Sequence, residues 1–142
     1  MKQLLKLTGC LALAGLFASC QSAQQEANYQ IIPMPQEMVT AQGNPFILKS
    51  GVKILYPEGN EKMQRNAQFL ADYLKTATGK DFAIEAGTEG KNAIVLTLGT
   101  ANENPESYQL KVTGDGITIA GPTEAGVFYG IQSLRKSLPV AV

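Results

Sequence analysis

The 142 residues include no histidine, no tryptophan and only two cysteines. Without histidine, imidazole bases, histidine metal ligands and Ser-His triads are excluded within the chain. Without tryptophan, only Tyr and Phe are left to stack on a sugar ring; Tyr29, Tyr56 and Tyr129 stand where they could do so or simply pack. Charge is sparse and balanced, 12 basic against 12 acidic residues, and no basic patch gives nucleic acid an electrostatic footing. There is no phosphate loop and no dinucleotide fingerprint: GTEG at 87–90 lacks the required lysine and spacing and reads as a turn. No Asp stands next to a Glu anywhere. Glu58, Glu61, Asp81, Glu89, Asp115 and Glu124 occupy expected turn, cap or solvated positions, so no catalytic carboxylate is assigned. No metal site and no cofactor is assigned either.

What is present begins with a leader. Lys2 and Lys6 precede an apolar run over 7–17, followed by Ala18, Ser19 and Cys20. Eleven helical residues would span only ~16 Å, about half a bilayer core, too little for a transmembrane helix. Phe17-Ala18-Ser19-Cys20 resembles a bacterial lipobox, with Phe where Leu is preferred. The expectation is a lipoprotein signal peptide over 1–19, with cleavage before Cys20 and acylation of that residue. Cleavage near Ala23 by an ordinary signal peptidase is the alternative. Cys10 would leave with the leader, so no cysteine would remain for a disulfide or thiolate site. Loss of Lys2 and Lys6 leaves ten basic against twelve acidic residues, a net charge of −2. Residues 20–28 are polar after Cys20 and read as a flexible tether. The expected location is the cell envelope, periplasmic or outer-membrane, with the membrane met through the N-terminal lipid.

From residue 29 onward the patterning is that of one domain. Pro33 and Pro35 remove two ladder donors from 29–38, which predicts an edge strand leading into the fold. Residues 39–48 predict a hairpin turning at Gln42-Gly43-Asn44-Pro45. Residues 52–56 predict a short strand. Met63, Ala67, Leu70, Leu74 and Ala77 recur at helical spacing over 60–78, joined by Phe69 and Tyr73, with Asn60 as the cap and Gly79 as the stop. Strands are predicted at 81–86, at 92–99 (nearly all apolar, suited to burial on both faces) and at 106–113. Gly114-Asp115-Gly116 then turns the chain into a return strand carrying Ile117 and Ile119. Strands, helix, strands, helix give an α+β class, a two-layer sandwich whose mixed or antiparallel sheet has both helices on one face.

The last helical stretch, 123–138, stacks Val127, Ile131, Leu134 and Leu138 on one stripe, widened by Phe128. Pro122 and Thr123 start it, Glu124 suits its positive end, and Arg135, Lys136 and Pro139 suit its close. Gly126 and Gly130 each cost a helix interior roughly 1 kcal/mol relative to Ala. At i, i+4 they leave a flat strip for a close approach, either by the domain's own sheet or by a second domain.

Three stretches, IIPMPQEM (31–38), ESYQLKVTGDGITIAG (106–121) and TEAGVFYGIQSL (123–134), together resemble the N-terminal, non-catalytic domain of family 20 glycoside hydrolases, the bacterial β-N-acetylhexosaminidases. The resemblance covers about 29–138. Similar domains also precede other glycosidase barrels, including α-glucuronidases and family 84 enzymes. It implies a sheet of four to seven strands with two helices on one face, packed on a TIM barrel. It also implies a parent enzyme that removes terminal β-linked N-acetylhexosamines from glycans. In that family an adjacent Asp-Glu pair on the barrel does the chemistry, the Glu as general acid and the Asp orienting the substrate's own acetamido nucleophile. Neither residue has a counterpart here, so the domain at 29–142 is expected not to be catalytic by itself. Its expected partner is the TIM barrel of the same polypeptide, which the 142 residues do not contain, and Gly126, Tyr129 and Gly130 are the expected domain interface. A stand-alone lipid-anchored module binding glycans or a protein is the alternative.

Overall fold

The computed structural model describes residues 27–40 and 43–138. Its elements, in order, are β1 (Lys53–Tyr56), α1 (Glu61–Thr78), β2 (Ala83–Ala86), β3 (Ala93–Leu98), β4 (Gln109–Thr113), β5 (Gly116–Gly121) and α2 (Glu124–Ser137). The strands form one sheet in the order β2-β1-β3-β5-β4. The apolar run AIVLTL becomes β3 at its centre, parallel to both β1 and β5. Ala93, Ile94, Val95 and Leu96 are all buried, as a strand flanked and covered on both faces should be. Only the β4–β5 pair is antiparallel, so the sheet is mixed.

Strand alternation sorts the two faces. Ile54, Ile94, Leu96, Ile117 and Ile119 share one cluster with Met63, Ala67, Leu70 and Leu74 of α1 and Val127, Ile131 and Leu134 of α2. Both helices therefore cover the same face, the two-layer α+β arrangement that the patterning predicts. Each large side chain buried there contributes roughly 1.5–3 kcal/mol. Leu55, Ala93 and Val95 make a small separate cluster on the other face. No helix lies over that face among the described residues; a Cβ on Gly87 or Gly90 would instead meet the Leu55 side chain, so the loop after β2 folds across it.

Helix ends follow their side-chain chemistry. Asn60 Oδ1 accepts from Met63 N at 3.0 Å, and Gly79 closes α1 at φ 69°, a left-handed value that glycine adopts without cost. Thr123 Oγ1 accepts from Gly126 N at 3.2 Å to cap α2. The helices run the same way. Asn60 and Asn66 of α1's first turns donate to the Glu124 carboxylate and carbonyl, both at 2.9 Å, while Tyr73 Oη donates to Arg135 O further along.

Three expectations are corrected. The predicted strand at 29–38 is irregular: Asn28 N donates to Ser137 O at 2.8 Å and Lys136 Nζ to Ile32 O, so the segment is tied to the end of α2 rather than to a sheet edge. The predicted hairpin at 39–48 has no strand among its described residues, 41 and 42 lying outside them; Phe46 and Leu48 tuck against the core instead. The strand predicted at 106–113 begins only at Gln109, because Asn102 and Asn104 side chains accept from Asn104 N and Glu106 N and hold the preceding stretch in turns. The β4–β5 hairpin forms as expected, but its closing pair is Thr113 and Gly116. Gly116 thus belongs to the strand, where an added Cβ would come 2.6 Å from Ala93 O; close strand approach, not turn conformation, requires glycine there.

Candidate functional site: the outer face of the helix layer

The two glycines of α2 work inside the domain. Gly126 and Gly130 are both buried. A Cβ on Gly126 would overlap Ser107 O, and one on Gly130 would overlap Ile119 Cγ2 and lie 3.3 Å from Tyr108 Cδ2. The flat strip therefore receives the domain's own sheet and the loop before β4. That loop is fixed to the helix by Thr123 Oγ1 donating to Pro105 O and by Tyr108 Oη meeting Ser133 Oγ, each at 2.5 Å. Of the three residues assigned to an interface, Tyr129 alone reaches solvent, at 43% exposure.

Tyr129 belongs to a continuous aromatic band on the helices' outer side. Its ring meets Phe128 edge-on at 6.3 Å, and Phe128 meets Phe69 of α1 at 5.3 Å. The Arg135 guanidinium lies over both Phe69 (5.0 Å) and Tyr73 (4.2 Å). Such stacking stabilises by roughly 0.5–1 kcal/mol where water has access. Arg135 Nη1 donates to Gln132 Oε1 at 2.7 Å, while its Nε is buried with no acceptor. Among the described residues no carboxylate pairs with it. Sequence reading singled out Tyr129 and missed the band: Phe69 and Arg135 are 66 positions apart and meet only because α1 and α2 lie side by side.

Several of the acids serve the fold. Glu124 accepts from Asn60 Nδ2, and that hydrogen bond, with one from its own backbone, holds its carboxyl below the ordinary range. Asp81 pairs with Lys75 at 2.6 Å and raises the ammonium pKa, first through the hydrogen bond and then through charge. That pair lines an open cleft of about 390 Å³ between α1 and β2, where Gln68 and Asp72 also bond to one another. Glu61 and Asp115 face Arg65 and Lys91, each at 3.9 Å. Among the described residues the arrangement offers solvated ion pairs, and the two acids that line the cleft, Asp72 and Asp81, are bonded to Gln68 and Lys75. Tyr56 packs on the core, whereas Tyr29 is exposed on the segment before β1, so the three candidate stacking tyrosines are not gathered into one site. Cys20 lies outside the described residues.

The described residues thus form a two-layer α+β domain with an aromatic band on the outer side of its helices. The sequence model of glycosyl hydrolase family 20, domain 2, matches residues 28–141. The chain belongs to that family. A β-hexosaminidase of Porphyromonas gingivalis (strain ATCC BAA-308 / W83) is 31% identical over 138 residues, covering 92% of this chain and 17% of the relative. Among solved structures, the family 20 β-N-acetylhexosaminidase of Streptomyces coelicolor A3(2) superposes with a TM-score of 0.72 at 30% identity, over 81% of this chain and 23% of that one. A mutant Streptomyces plicatus β-hexosaminidase in complex with N-acetylglucosamine product gives 0.70 at 32%, over 80% and 22%. The chain thus spans about a fifth of the length of these relatives. A family 84 protein shares the fold alone, at 19% identity and a TM-score of 0.57.

Proposed function

We propose that this chain is the accessory N-terminal domain of a secreted, lipid-anchored β-N-acetylhexosaminidase that hydrolyses terminal N-acetylhexosamine from glycans. The observation that carries the reading is the family match over 28–141, joined to the short share of each relative that it covers. The chain supplies a scaffold rather than chemistry: Glu124 is held by Asn60, Glu61, Asp81, Glu85 and Asp115 stand in ion pairs, and no Asp-Glu pair exists in the sequence. The catalytic barrel of the same polypeptide packs on the outer helix face around Tyr129, while Gly126 and Gly130 set how deeply α2 sits on the sheet beneath. Cys20 carries the lipid and residues 21–28 give the fold its reach from the envelope membrane.

Two measurements test this. A chromogenic N-acetylglucosaminide should be turned over by the polypeptide continued through the reading frame beyond Val142, and not above buffer by the 142 residues alone. An unrelated sequence or a natural stop after Val142 would sink the accessory role. Cells given labelled palmitate should incorporate it into the protein, and Cys20→Ser should abolish incorporation; label retained in that variant would refute the anchor.

A further inference from the structure

We infer that Arg135 is the anchor by which the helix layer holds its catalytic barrel, taking a carboxylate from that region. The inference rests on the accessory-domain reading and names the partner chemistry at its interface. A guanidinium carries a permanent charge and five N–H donors. Arg135 is partly covered, yet it gives only one side-chain bond, to Gln132, and pairs with no carboxylate among the described residues. Withdrawing a cation from water without an anion is costly, and a planar fork already clamped flat has little more freedom to lose when a carboxylate arrives. Phe69 and Tyr73 do that clamping. Phe69, 37% exposed, continues from the fork to Phe128, and Phe128 to Tyr129, an apolar border on one side of the guanidinium that limits the access of water to a charged contact there. Gln132 is the spare acceptor that keeps the fork oriented until the carboxylate binds. A Lys in its place would keep the charge and lose the bidentate geometry.

The test compares Arg135→Gln and Arg135→Lys in two polypeptides, the 142-residue chain and the chain continued through its reading frame. Thermal unfolding is followed at low salt and at about 0.5 M salt, where exposed charge contacts are screened. In the longer polypeptide, Arg135→Gln should make the N-terminal domain unfold separately, about 5 °C or more below the rest. Arg135→Lys should fall between it and the wild type. In the 142-residue chain the same changes should shift the midpoint by less than half as much. High salt should move the wild-type longer polypeptide less than Arg135→Gln does, because a contact closed off from water is screened little; a wild-type midpoint that falls at high salt to that of Arg135→Gln would overturn the shielded anchor. Equal shifts in both polypeptides would show a purely internal stacking role and overturn the anchor. So would a longer polypeptide that turns substrate over and ignores Arg135→Gln; the accessory reading would then survive alone. A longer polypeptide with no turnover at all would refute the accessory reading and the anchor together.

Discussion

The two helices cover one sheet face by opposite means. α1 stands on large side chains, burying Met63, Leu70 and Leu74 between its backbone and the strands. α2 sits down on glycines, with Gly126 against the Ser107 carbonyl and Gly130 against Ile119 and Tyr108. The first contact is made of atoms that can be deleted. The second is made of space that cannot be filled. A helix spaced by side chains fails when a side chain is lost, and a helix spaced by glycines fails when one is gained.

That contrast orders the expected effects. Leu74→Ala in α1 should cost most, about 2–5 kcal/mol by chemical denaturation, because a fully buried side chain leaves a cavity. A loss under ~1 kcal/mol would mean that α1 is less tightly packed than its burial indicates. Gly126→Ala should come next, destabilising by roughly 1–3 kcal/mol although alanine is the better helix former by about 1 kcal/mol. A stabilised variant would show that α2 can lift away and would erase the contrast. Smaller still is the shared end of the helices. Asn60→Ala removes α1's cap and the amide that holds Glu124, at about 1 kcal/mol.

The smallest effect is one of pH. Glu124's carboxyl is held low in the folded chain, so its contribution is complete above the ordinary glutamate value of about 4.3 and fades as pH falls through the lower folded value. Glu124→Gln should flatten that acid limb of the unfolding midpoint. An unchanged limb would assign the acid sensitivity to other carboxylates.

How much was legible depended on distance along the chain. Both helices, their caps at Asn60 and Thr123 and the stop at Gly79 are written within a few residues, in spacing and side-chain chemistry. So is β3, whose nearly continuous apolar run suits cover on both faces. The segment before β1 was misread because its local cues, apolar residues among prolines, are those of an edge strand. What places it is Lys136, 104 positions away from the Ile32 carbonyl it meets. The glycines were legible as a close approach but not as to whose. Their neighbours come from the loop after Asn104, whose side chain shapes a turn that strand periodicity does not register. The aromatic band was invisible for the same reason: Phe69 reads as part of α1's stripe, yet it stands at the stripe's outer margin and finds Phe128 and Arg135 only in the folded domain.

The strand order also governs what the domain can recruit. Any open sheet invites another chain to dock along its rim by backbone hydrogen bonds, the route to runaway stacking. Here one rim is β2, four residues long with Glu85 held in a salt bridge to Lys53, and the other is β4, with Lys111 between Gln109 and Thr113. A short rim and a charged one are poor templates for strand addition. Association is thereby steered away from ribbon-like growth and toward side-chain contacts on the helices, where a match of shape and charge must be specified residue by residue.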